Sequence, residues 1–287
     1  MINTIILVST GTFQEYILYN INQLLLLSYN IIVITEQKYF DHFDKNYNIQ
    51  LIDSNTINID KFDSKSKLNK DYRNGFWHLC SKRLFLVYYY MKKYNQKNVI
   101  HLENDVLLYT KFNNFNFNED KLYLTIDSND RCIPGILYIP TYEIMDNLIR
   151  NYDYTKNDMI NMYSFYKNNK SICETFPIIN YVSTINIYNK NFSEFDGIFD
   201  GAAIGQYLGG IDSRNKSGNT IGFINETCVI KYNKYTFKWI VNNNLYYPFI
   251  IIDGIEIPIY NLHIHSKLLE LFTIINPADN KLIQKIR

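Results

Sequence analysis

Cysteine is scarce in this 287-residue chain: Cys80, Cys132, Cys173 and Cys228 stand far apart, with no Cys-x-x-Cys pair. Neither a zinc ribbon nor a disulfide scaffold is therefore encoded. An excess of one charge sign is lacking too, with 29 Lys+Arg against 28 Asp+Glu and a net charge of +1. No broad field grips nucleic acid or an anionic membrane, so phosphate affinity must come from a local site. Long apolar runs are missing: Leu24–Leu27 and Leu84–Met91 fall far short of the roughly 20 residues that cross a bilayer. The opening MINTIILVST has no basic start and no small-residue cleavage site. A reduced, cytoplasmic protein without a transmembrane segment is the expectation. Alanine occurs three times while Asn, Ile, Tyr and Lys abound, a bias that AT-rich codons produce.

What is present is material for a core. Hydrophobic residues make up 47% and charged residues 20%, which excludes wholesale disorder. The first half alternates strand and helix: strands at Thr4–Ser9, Ile31–Thr35, Gln50–Asp53 and Asn98–Leu102, helices at Phe13–Leu27 and Asn74–Tyr94. Short, continuous apolar strands separated by helices predict a largely parallel sheet covered on both faces. In the second half, strands are expected at Leu122–Ile126, Gly135–Ile139, Thr227–Tyr232, Phe249–Ile252 and Tyr260–His265. Helical patterns fall at Tyr142–Arg150, Asp158–Tyr166 and Asp200–Leu208, the last opened by Asp200 as N-cap and stopped at Gly209-Gly210. No linker or repeat divides the chain, so one α/β domain over 1–287 is expected.

The segment Val99-Ile100-His101-Leu102-Glu103-Asn104-Asp105 is the most informative. A buried strand that runs into two carboxylates is costly unless something compensates them. In extended chain, residues two apart share a face, so Glu103 and Asp105 can converge on one point. Hard oxygen ligands suit Mg²⁺ or Mn²⁺, and strand C-termini are where open α/β sheets place ligands. The plainer reading is a pair of solvated carboxylates that start a loop. A second constellation is His263-Ile264-His265-Ser266-Lys267, which in extended form puts His263, His265 and Lys267 on one side. Imidazole suits Mn²⁺, and Lys is a compact charge for phosphate. Two histidines on an edge strand are the plain alternative. His78 and His101 read as structural, and His42 as surface. Together the two segments describe a site for a diphosphate, whose departure a cation and Lys would assist.

On these residues the chain resembles the metal-dependent nucleotide-sugar glycosyltransferases of the GT-A type. Ser81-Lys82-Arg83-Leu84, then helix, then the strand into Glu103-Asn104-Asp105 looks like their helix, strand and DxD element, here ExD. Ile133-Pro134-Gly135-Ile136 is similar to the strand that the family often writes Asn-Ser/Ala-Gly-Val. His263–Lys267 falls where several members carry a late metal-binding His and a phosphate-binding Lys. Its spacing departs from the His-x-x-Gly-x-x-Lys of family-eight enzymes, which leaves His265 favoured and His263 second as the ligand.

The resemblance implies a GT-A-like fold, with residues 1–109 as the nucleotide-sugar half and 110–287 as the acceptor half. It implies a sugar donor carried on a nucleotide diphosphate, UDP first, a hydroxyl acceptor of glycan type, and Mn²⁺ or Mg²⁺. Arg83 and Lys267 would face the diphosphate, with Arg73 and Asn104 near it. Thr10, Gly11, Thr12 and Glu36 would line the nucleoside pocket. Asp200 would contact the donor sugar or act as base, with Asp196 in reserve, although a plain helix cap explains Asp200 equally. Three rivals stand beside this reading. A nucleotidyltransferase should carry a Gly- and Lys/Arg-rich first loop, which Thr10-Gly11-Thr12 matches poorly. A metal phosphoesterase usually gathers more His and Asp. A non-catalytic carbohydrate-binding relative would keep the pocket without turnover.

Overall fold

The apolar runs read from the sequence form the central strands of the computed structural model, which describes residues 2–180, 186–208, 228–275 and 277. Strands β1 (Thr4–Ser9), β2 (Asn30–Thr35), β3 (Ile49–Asp53) and β4 (Val99–Leu102) lie parallel, with β1 between β2 and β4. After β5 (Val106–Leu108), which pairs elsewhere, β6 (Leu122–Ile126), β7 (Cys132–Ile139) and β8 (Cys173–Thr175) extend the sheet. The order is β3-β2-β1-β4-β7-β6-β8. β7 runs antiparallel to β4 and β6, while β8 is parallel to β6. The fold is thus mixed α/β around a mostly parallel sheet.

Period-two alternation explains why both faces are apolar. Ile5, Leu7, Ile31 and Val33 join one core with Ile17, Ile21 and Leu24 of α1 (Ile17–Leu26). Their neighbours Ile6, Val8, Ile32 and Ile34 face the other core. Phe62 of α2 (Asp60–Lys65) packs there with Leu84 and Val87 of α3 (Phe76–Tyr94). So do Met145 of α4 (Tyr142–Arg150) and Met162 of α5 (Asp158–Asn168). Each such side chain stabilises the fold by roughly 1.5–3 kcal/mol relative to exposure. Among the described residues, no helix is long and apolar enough to cross a membrane.

The C-terminal part folds back on this frame. A short α6 (Phe192–Phe195) precedes a three-stranded antiparallel sheet of β9 (Thr236–Asn242), β10 (Leu245–Ile252) and β11 (Ile255–Pro258). Then β12 (Asn261–His263) pairs antiparallel with β5, His263 opposite Val106.

Several sequence expectations change. Helix α1 begins at Ile17 rather than Phe13, because Phe13 leaves the helix to stack on His42 at 4.3 Å. No strand occupies residues 228–232: Val229 N–H bonds Asp127 O and Tyr232 opens a 3-10 turn, while Thr227 lies outside the described residues. The late strand ends at His263: Ile264 N–H still bonds Asp105 O in register, but Lys267 N–H then turns back to Ile264 O and Lys267 adopts a left-handed φ of 67°. Residues 200–208 form no α-helix but a turn with a 3-10 segment at Gly205–Tyr207, broken by Ala202 at φ 59°. The expected stop at Gly209-Gly210 lies outside the described residues.

Candidate functional site

Because β1, β2 and β4 are parallel, the loops after them emerge on one sheet edge. That edge carries Thr10–Thr12, Glu36 and the Glu103-Asn104-Asp105 segment together. Glu36 Oε1 accepts the Gly11 N–H at 2.8 Å, and Tyr39 Oη donates to Gly11 O at 2.6 Å. Thr12 is exposed and Thr10 half-buried. Buried Asn20 of α1 donates to Asn104 O at 3.1 Å, and Asn104 Nδ2 donates to Gln14 Oε1 at 3.0 Å. The acidic loop is thereby pinned to α1.

The β5–β12 pairing brings the late segment to these carboxylates. His263 Nε2 lies 3.0 Å from Glu103 Oε2 and 3.2 Å from Asp105 Oδ2. Lys267 Nζ donates to Asp105 Oδ2. From α3, Arg83 Nη2 donates to Glu103 Oε1 at 2.5 Å and to Asp158 Oδ2 at 3.2 Å. Two glycines make room for His263, Gly135 for its ring and Gly205 for its carbonyl. A Cβ on Gly135 would stand 2.9 Å from His263 Nδ1, and one on Gly205 would collide with His263 O at 1.8 Å.

The charges are strongly coupled. Burial works against ionised Glu103, but Arg83 and His263 outweigh it and hold the carboxyl down to about 2. Asp105 is held well below the usual range against burial by Lys267 and His263. Burial disfavours the His263 imidazolium, yet the two carboxylates raise it to about 10. Asp158 goes the other way: burial lifts it to about 6, only partly opposed by Arg83.

Donor atoms of Glu103, Asp105 and His263 all lie within 4.8 Å of one another. Two carboxylate oxygens and one imidazole nitrogen fit Mn²⁺, or Mg²⁺ less closely because of the nitrogen. With His263 neutral, three carboxylates (Glu103, Asp105, Asp158) face two fixed cations (Arg83, Lys267). A divalent ion would turn that net single negative charge into a net positive one, the sign a diphosphate needs.

The other expected residues are placed as follows. His265, favoured as ligand from sequence, is not in the converging set; its ring stands edge-on to His263 at 5.0 Å. Burial and the nearby His263 and Lys267 charges push it down to about 3, so it is neutral. Arg73 stacks its guanidinium on the Phe76 ring at 4.9 Å. Asp200 is not a helix cap but a buried knot. Its Oδ1 accepts N–H from Ala203 and Ile204, and its Oδ2 accepts N–H from Gly205 and His263. Asp196, at a left-handed φ of 51°, lines a cavity of about 430 Å³ with Phe192, Phe249 and Tyr260. None of the three converging residues, Glu103, Asp105 and His263, lines that cavity. His101 is buried with Nδ1 2.9 Å from Ile6 O, His78 is buried against Ser66 and Asp63, and His42 is exposed. Sequence reasoning missed Asp158, which carried only a helix-start signal, and the room that Gly135 leaves for His263.

No protein-family model matches the chain, and no curated protein matches it either. Among solved structures, it is similar to the glycosyltransferase GlyE of Streptococcus pneumoniae TIGR4, at 10% identity and a TM-score of 0.39 over 60% of this chain. The chain spans 44% of the GlyE chain. It is similar to the PaToxG glycosyltransferase at 12% identity and TM-score 0.40, covering 59% of this chain and 70% of that one. The inositol-1-phosphate CTP transferase of T. maritima aligns at 11% identity and TM-score 0.37, covering 61% and 84%. Likeness this distant assigns no activity, so the functional reading rests on the site.

Proposed function

We propose that this chain is a divalent-metal-dependent glycosyltransferase that moves a sugar from a nucleotide diphosphate, UDP by preference, to a hydroxyl acceptor. The observation that carries the reading is the convergence of Glu103, Asp105 and His263 beside Lys267 and Arg83, at the C-terminal edge of parallel strands. Glu103, Asp105 and His263 would hold Mn²⁺ or Mg²⁺. Bound there, the ion supplies Lewis-acid neutralisation of the diphosphate leaving group.

The chain's own residues do the rest. Lys267 reaches the site from a turn and is bonded to Asp105. A phosphate oxygen competing for that ammonium would draw it to the ligand as a point charge. Arg83, fixed on α3 between two carboxylates, adds positive charge without leaving the helix. Glu36 and the Thr10–Thr12 loop stand at the same sheet edge, where the nucleoside would lie.

Calorimetric titration with UDP and GDP, with Mn²⁺ and then EDTA, tests the reading. Metal-dependent binding of one nucleotide, lost in Glu103→Ala/Asp105→Ala, is the expected result. Binding of CTP or UTP with release of pyrophosphate would instead point to a nucleotidyltransferase. Absence of binding to any nucleotide would refute both.

A further inference from the structure

Arg83 Nη2 spends its two N–H groups on different carboxylates, Glu103 Oε1 at 2.5 Å and Asp158 Oδ2 at 3.2 Å. The guanidinium Nε is buried and has no acceptor. An Arg–carboxylate pair left to itself tends to close a two-bond fork. Here Glu103 takes only one bond from Arg83, and its Oε2 faces His263 Nε2 at 3.0 Å. The other bond from Nη2 goes to Asp158, the first residue of α5, 2% exposed and carried by an element separate from both partners.

We propose that Asp158 is a positioning residue: it holds Arg83 in a single-bond contact with Glu103, so that Glu103 stays available to a divalent cation. The inference rests on the metal reading above and adds a residue outside the ligand set. Without Asp158, the freed guanidinium turns Nε or its spare Nη2 N–H onto Glu103 Oε2. Oε2, which as it stands faces His263 Nε2, is then also held by Arg83, and a cation must break that second charged bond to reach it. Arg83 remains paired, so the fold survives the change.

The test is Mn²⁺ titration followed by calorimetry, with thermal unfolding recorded on every sample. Asp158→Ala is expected to weaken Mn²⁺ binding about tenfold, a change of about 1.4 kcal/mol. Asp158→Asn, which keeps a neutral acceptor, should weaken it less, about threefold, and carries the test if the alanine variant does not fold. In an Arg83→Gln background, the same Asp158 substitutions should leave Mn²⁺ affinity unchanged. A loss that persists in that background would mean that Asp158 acts on the ion through its charge, and would overturn the proposal. Unchanged affinity in folded Asp158→Ala or Asp158→Asn would overturn it as well. No Mn²⁺ binding by the unaltered protein would overturn the metal reading itself and this inference with it, an outcome distinct from the other two.

Discussion

Replacing Asp200 with alanine removes the acceptor for four buried N–H groups at once: Ala203, Ile204 and Gly205 at 2.8 Å each and His263 at 3.0 Å. Asp200 is 2% exposed, so water cannot take over those donors. Four bonds to a charged acceptor contribute about 1.5 kcal/mol each, less about 3 kcal/mol for burying the carboxylate, which leaves about 3 kcal/mol. The offset is visible in the carboxyl itself, whose pKa burial holds above the ordinary value despite those donors. Urea unfolding followed by circular dichroism measures the loss: the midpoint should fall with the slope unchanged. Because one of the four donors is the His263 backbone, Mn²⁺ affinity should fall alongside stability. A variant of native stability that binds nucleotide normally but has lost turnover would refute this reasoning. It would return Asp200 to the role of a proton acceptor.

Three further outcomes are expected. Gly135→Ala pushes a Cβ within 2.9 Å of His263 Nδ1 and displaces the imidazole; turnover should fall on the order of 100-fold while the melting temperature moves little. Lys267→Ala should weaken metal-dependent nucleotide binding about tenfold, the scale of one charged hydrogen bond, and leave Mn²⁺ binding without nucleotide intact or tighter. Glu174 is held down to about 2, burial being outweighed by bonds from Lys121, Lys190 and Asn191. Its contribution is full above the ordinary 4.5 and fades as pH falls from there to about 2. After solvent screening it is worth about 1–2 kcal/mol at pH 7, so Glu174→Gln should lose that at pH 7 and little at pH 2.5. A pH-independent difference in urea midpoint would contradict it.

The acidic half of the site was legible because its signal is local. An apolar strand cannot run into Glu103 and Asp105 without compensation, and no distant contact is needed to see that. Parallel strands then placed Thr10–Thr12, Glu36 and Glu103 on one edge, as alternation of strand and helix implied. The late half was legible only in outline. Assigning His263, His265 and Lys267 to one face assumed an extended chain through 267, whereas the strand stops at His263 and Lys267 N–H turns back to Ile264 O. That turn is invisible to periodicity, and it is the ring of His263, not His265, that faces the carboxylates. The 200–208 segment misled for a related reason. Its small residues suit a helix face, but Gly205 is small because the His263 carbonyl passes against it. Asp158 showed only a helix start, and nothing in the sequence tied it to its partner Arg83, 75 residues away.

The pairing of β12 with β5 joins residues far apart in time as well as in sequence. Asp105 and Lys267 are 162 positions apart, and a ribosome delivers the lysine long after the first four parallel strands have been made. Until the tail docks, the two carboxylates face each other without His263 or Lys267, and their repulsion marks the unfinished chain. A truncated product ending before β12 could retain most of the central sheet and still have no imidazole to offer a cation. On the metal reading proposed above, cation binding would count only molecules in which the β12–β5 pairing has formed.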